Sequence, residues 1–281
     1  MKKIISASRR TDLVAHFPEW LSFALRKEKA RVYGPSGHSY IVDLSPQEVH
    51  TFVLWSKNFD NLNKNKNSLR DLLQKYDQLY LHFTITGLGG SFIEKGVPKP
   101  SVALSQLDRL IKIVGLPERI SIRFDPILYW KEDSDMRTNI HFFEKIAPEL
   151  NARGIKDIRI SFAQWYSKAK TRAAKYRFFY VDPPQEEKRE ATDILAQIAQ
   201  KWSLQLHSCS QHFLTEVPGI RPSSCIEGPH LQNLHPDGES VSGRKDKSQR
   251  VECGCTESVD VGSYTQFCPH SCLYCYANPK I

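Results

Sequence analysis

Six short runs in this chain read as strands, the last four alternating apolar and polar side chains, and stretches with helical spacing separate them. No other feature limits the fold as much. The runs cover residues 3–8, 51–56, 79–86, 119–124, 157–162 and 204–209. In the third, Leu79, Leu81, Phe83 and Ile85 share one side, and Tyr80, His82, Thr84 and Thr86 the other. In the fourth, Ile120, Ile122 and Phe124 oppose Arg119, Ser121, Arg123 and Asp125. The fifth sets Ile158, Ile160 and Phe162 against Asp157, Arg159 and Ser161. The sixth sets Leu204 and Leu206 against Gln205, His207 and Cys209. Side chains alternate across a strand, so the pattern predicts strands with one greasy and one polar face.

Helical spacing predicts helices over residues 17–27, 68–76, 101–114, 139–153 and 185–202. A capping box at Ser45-Pro46-Gln47-Glu48 predicts a short helix, and Gly34-Pro35-Ser36-Gly37 a turn. Gly154 is placed to stop the fourth long helix. Strands and helices in alternation call for a parallel sheet with right-handed crossovers. The expected class is α/β, a TIM-like (β/α) barrel, partial or complete; a doubly wound open sheet is the rival. Helices should cover the apolar face, and the polar face should line an interior whose groups need partners. A bound polar ligand supplies them economically, although an antiparallel sheet with one wet side gives the same alternation.

A barrel domain is expected over residues 1–215. From residue 216 to 281 the periodicity fades and prolines and glycines accumulate. That composition cannot bury a core of its own, so it is expected to be an arm folded onto the barrel and pinned by metal.

The arm carries the chemistry. Cys268, Cys272 and Cys275 stand in a three-then-two spacing, with Tyr274 just before the last. Three close thiolates can hold three irons of a 4Fe–4S cluster, leaving the fourth iron open to a small molecule. A zinc knuckle or a set of buried thiols are the alternatives. Cys209, Cys225, Cys253 and Cys255 meet the ligand count of a second cluster or a closed zinc site, unless Cys209 and Cys225 are ordinary buried thiols.

No N-terminal apolar segment and no membrane-length apolar run is present, so no membrane partner and a cytoplasmic location are expected. Seven cysteines in that compartment argue for metal rather than disulfides. The formal charge of +8, with basic runs at 168–177 and 244–250, is compatible with nucleic acid or with small anions.

The Cys268–Cys275 spacing resembles the radical S-adenosylmethionine (SAM) enzymes. Several blocks resemble a bacterial family, domain of unknown function 1848, described as radical-SAM-like. They are residues 5–12, 55–58, 83–87, 123–126, 252–255 and the run through Cys275-Tyr276-Ala277-Asn278. The resemblance implies a cluster enzyme that uses SAM, an electron donor such as flavodoxin or ferredoxin, and a small-molecule or nucleic-acid substrate. In such barrels the site lies at the C-terminal strand ends. That placement assigns Arg123, Asp125 and His207 to catalysis, and Arg9, Lys57, Asn58, Thr86 and Ser161 to cofactor binding. Two departures are plain. The cysteine motif is C-terminal rather than after the first strand, and Gly87–Gly90 lacks the acid of the glycine-glycine-glutamate segment. A nucleic-acid module stapled by zinc or a cluster, and a cluster enzyme that does not use SAM, are the alternative readings.

Overall fold

The computed structural model describes residues 1–34, 38–263, 265–277 and 279. The turn expected at 34–37 therefore falls largely outside the described residues, as does Asn278. The core is one eight-stranded sheet: β1 (Lys3–Ala7), β2 (Val49–Ser56), β3 (Leu79–Thr84), β4 (Ile120–Ile127), β5 (Asp157–Phe162), β6 (Gln205–Ser208), β7 (Ile220–Pro222) and β8 (Val259–Asp260). Every neighbouring pair is parallel. The spatial order is β7-β6-β5-β4-β3-β2-β1-β8, so chain neighbours are sheet neighbours from β1 to β7. A doubly wound sheet reverses its order at a switch point, and none occurs here. With right-handed crossovers throughout, such an order sends the helices to a single face.

That face is the apolar one. Leu81, Phe83, Ile122, Phe124, Ile158 and Ile160 are buried against Leu107, Leu110, Phe143, Ile146 and Leu195 of the crossover helices. Each such side chain contributes on the order of 1.5–3 kcal/mol on burial. Local departures from expectation have local causes. The helix expected over 101–114 is two, Pro100–Leu104 and Leu107–Val114, broken at Ser105-Gln106. The capping box at Ser45 yields only the single turn Pro46–Glu48, because the Ser45 hydroxyl donates to Asp43 Oδ1 at 2.7 Å instead of capping. Gly154 does stop its helix, at φ +72°.

The polar face is not the hollow that the alternation predicted. Residues from 216 onward supply both edge strands, β7 and β8, and a long intervening loop packs against the sheet. Ile226, Leu231 and Val241 of that loop bury against Ile4, Val53 and Tyr80. Loop carbonyls, rather than a ligand, satisfy much of the polar face. His82 Nε2 lies 2.6 Å from the Cys225 carbonyl, and Arg159 Nη2 donates to the Ser224 carbonyl at 3.2 Å. Gln78 donates to Leu231 O at 2.8 Å and Arg119 to Leu234 O at 2.6 Å. Among the described residues, an opening lies at the end of the sheet where the strands finish.

A smaller three-stranded antiparallel sheet, Tyr129–Glu132, Asp135–Thr138 and Phe179–Val181, flanks that open end together with the helix Ser167–Lys175. Its apolar side, with Leu128, Trp165 and Phe178, buries Leu273 of the cysteine loop. No described helix is long and apolar enough to cross a membrane.

Candidate functional site

A cavity of about 330 Å³ opens at the C-terminal strand ends, and all seven cysteines line it. Arg9, Lys57, Arg123, Asp125 and Ser161 line it as well. His207, Asn58 and Thr86 do not. His207 sits one step below its strand tip, where Nε2 lies 3.3 Å from Asp157 Oδ1. Asn58 Oδ1 accepts from the Asp60 amide at 3.0 Å and from Gln106 Nε2 at 3.0 Å. Thr86 Oγ1 accepts from the Leu88 amide, and its carbonyl from Asn139.

The His207 pair bears on stability. Burial pushes the Asp157 carboxyl up, but the His207 hydrogen bond and the Arg159 charge outweigh it and hold the group at about 2. A carboxyl depressed on folding contributes stability above its unfolded pKa and loses it as pH falls through the folded value. The window is therefore about pH 4 down to 2, and the contribution about 2 kcal/mol. Urea titrations across that window should show Asp157→Asn losing less stability on acidification than the parent; identical slopes would remove the pair from the account.

The terminal cysteine loop is anchored by groups far away in sequence. Asp12 Oδ2 accepts from His270 Nε2 at 2.7 Å and from the Lys57 amide at 2.8 Å, and Asp12 also accepts from Ser56 Oγ and the Ala15 amide. Burial pushes the Asp12 carboxyl up, but His270 and those amides hold it below its ordinary range. His270 Nδ1 faces the Gly96 carbonyl at 3.0 Å, and Gly96 N–H donates back to His270 O. A side chain at Gly96 would meet Pro269 O at 2.3 Å, so only glycine lets the two loops touch. Leu273 N–H donates to Ile93 O, and Arg172 Nη1 donates to the Leu273 and Cys275 carbonyls at 3.0 and 2.7 Å. Lys57 Nζ, 2.8 Å from Glu94 Oε1, stands beside Cys272, while the Tyr274 hydroxyl donates to the same Glu94 oxygen.

Burial pushes the Cys268 thiol up to about 12 and Cys272 and Cys275 above their ordinary value. Such thiols are neutral until a metal displaces their protons. His16 completes this corner. Its Nε2 is buried without a hydrogen bond, and burial, then the His270 charge, lower its pKa to about 4. His16, Cys268 and His270 present ligand atoms within 4.8 Å of one another, yet both His270 nitrogens are already engaged. Sequence reasoning assigned no role to His16, Glu94 or His270. Only His270 had a visible signal, its place inside the cysteine motif. Asp77, His235 and Glu239 form another ligand-rich group, but Lys2 Nζ occupies it at 3.1 and 2.8 Å from the two carboxylates.

The other four cysteines form a row across the opposite wall. Cys209 Sγ is 3.5 Å from Cys225 Sγ, Cys225 touches Cys255, and Cys255 touches Cys253. Arg123 Nη1 donates to Cys225 Sγ at 2.9 Å and Nη2 to Asp125, whose other oxygen accepts from Ser161. Arg9 and Arg123 stand over the Trp55 ring at 5.7 and 5.2 Å.

No curated protein matches the sequence. The crystal structure of a D-hydantoinase aligns at 12% identity with a TM-score of 0.36, covering 82% of this chain and 47% of that one, so this chain spans about half its length. A family pattern matches residues 4–277, and the chain belongs to that family, a domain of unknown function (DUF1848).

Proposed function

We propose that the protein is an iron–sulfur enzyme of radical SAM-like type. Cys268, Cys272 and Cys275 hold three irons of a 4Fe–4S cluster, whose open iron takes SAM. The observation that carries this reading is the gathering of those three thiols on one cavity at the strand tips. The donor set fits the group: three soft thiols, no fourth thiol in the same loop, and Lys57 beside Cys272 to offset thiolate charge. A reduced cluster held there would supply the one electron that cleaves a carbon–sulfur bond of SAM to a radical, the chemistry of the enzymes that the cysteine motif resembles.

The chain's own groups do the rest. Glu94 and the Tyr274 hydroxyl fix Lys57 against the cysteine loop. Asp125, steered by Ser161 and Arg123, faces the cavity as an acceptor for a ribose hydroxyl or an ammonium group. Arg250 reaches Gln164 Oε1 at 2.7 Å and the Tyr166 hydroxyl at 3.0 Å, laying a strap over the mouth that limits water. We read the sheet as a (β/α) barrel left open between β7 and β8. A cytoplasmic location and a flavodoxin- or ferredoxin-like donor complete the reading.

A small-molecule substrate suits the site better than a nucleic acid. About 330 Å³ is near the lower end of small-ligand pockets. Arg172 and Arg250, from the two basic runs, are engaged in internal contacts. An anaerobic EPR spectrum of the reduced chain should show a cluster signal that shifts when SAM is added. Absence of iron and sulfide overturns the reading; a cluster indifferent to SAM overturns its SAM half.

A further inference from the structure

We infer that Cys209, Cys225, Cys253 and Cys255 form a second metal site, holding one divalent ion of the zinc class, that clasps the two open edges of the sheet together. The inference stands independently of SAM chemistry.

The location is the first argument. Cys209 follows β6, and Cys225 lies three residues beyond β7, at one edge of the sheet. Cys253 and Cys255 lie on the segment that leads into β8, at the other edge. No ladder joins β7 to β8 among the described residues. The row of thiols crosses that gap. An ion shared by all four reinforces the link that the Thr256 amide makes to the Ile226 carbonyl at 2.9 Å, where no strand ladder runs.

The spacing is the second argument. Sulfurs bound to one zinc at ~2.3 Å stand ~3.8 Å apart in a tetrahedron. Sulfurs that each cap a separate iron of a cluster must stand further apart. Successive sulfurs in this row touch, with 3.5 Å between Cys209 and Cys225. No three of the four stand within 4.8 Å of one another, so one shared ion would draw the row into a tetrahedron.

The surroundings are the third argument. Two donors already point at the sulfurs: Arg123 Nη1 at Cys225, 2.9 Å, and the Ile226 amide at Cys255, 3.4 Å. Hydrogen bonds of this kind orient and stabilise bound thiolates. Four thiolates around a divalent ion carry two net negative charges, and the guanidiniums of Arg123 and Arg9 offset them. Both arginines are thereby committed to the metal rather than to a substrate carboxylate. Gly254 between its two cysteines leaves room for the Ser224 hydroxyl, which a side chain there would meet at 2.5 Å and force to turn.

The test uses the full chain with Cys268, Cys272 and Cys275 all replaced by Ala, so that only the second set can bind. Elemental analysis should find about one zinc per chain and no labile sulfide, and cobalt substitution should give the absorption of a tetrathiolate site. Adding Cys253→Ala, at a half-exposed position that the fold tolerates, should drop zinc retention at least tenfold. If the triple variant does not fold, X-ray absorption at the zinc edge of the parent chain replaces it, with four sulfur neighbours expected. No retained metal, iron with sulfide on the second set, or a Cys209–Cys225 disulfide overturns the inference. SAM binding is read on the parent chain, so failure of one proposal leaves the other intact.

Discussion

Cys272→Ala is expected to abolish the brown iron–sulfur absorption and SAM cleavage together. Cys272 is buried, central in its loop, and of the three thiols the one whose charge acts most strongly on the Lys57 ammonium. Two remaining thiols leave two irons without protein ligands, and a cluster held by half its corners dissociates. The loss should exceed the 10–100-fold that removal of a supporting partner costs a metal site. Zinc on the second cysteine set should stay unchanged, which separates loss of a ligand from loss of the fold. Iron content, sulfide and 5′-deoxyadenosine formation under anaerobic reduction measure the outcome. Persistent SAM cleavage would sink the assignment of this loop.

The sheet was legible because its information is local. Short apolar runs for β1 and β2 and alternation at period two for β3 to β6, interrupted by helical spacing, located these strands within a few residues of where they lie. The same strict alternation, with helices between, pointed to parallel pairing and one-sided winding. What alternation could not say is what would cover the polar face. His82, Arg159 and Arg119 read as groups awaiting a partner, yet Cys225, Ser224 and Leu234 meet them through backbone carbonyls, and carbonyls leave no trace in a sequence. β7 and β8 escaped for a related reason: three and two residues are too few to show a period. The cysteines stood out in the sequence as candidate ligands by type and spacing. That both sets face one cavity was not, because the 209, 225 and 253–255 positions meet only through the fold. His207 and Asn58 show the converse limit. A polar residue near a strand tip can turn to a neighbour, and one residue of register decides which.

Asp12→Ala should be the most destabilising single change at the site, by about 3–5 kcal/mol in the metal-free chain. The carboxylate sits 7% exposed and takes hydrogen bonds from the Ala15 and Lys57 amides, the Ser56 hydroxyl and His270. Truncation strands all four donors where water cannot reach them, and each stranded group costs about 1–3 kcal/mol. The damage also runs through the chain. Asp12 lies just after β1, Ser56 ends β2, and His270 lies between Cys268 and Cys272, so one side chain joins two strand tips to the terminal loop. Iron affinity should therefore fall by about 10–100-fold as well, although Asp12 meets the Cys268 thiol through its backbone amide, which truncation keeps. Asp12→Asn keeps an oxygen for the amides and loses the charge facing His270, so it should retain more stability than Ala while still weakening iron binding. Urea denaturation of the metal-free chain, paired with iron titration, measures both effects. A loss below about 1 kcal/mol with unchanged iron affinity would mean that the Gly96, Ile93 and Arg172 contacts alone hold the loop in place.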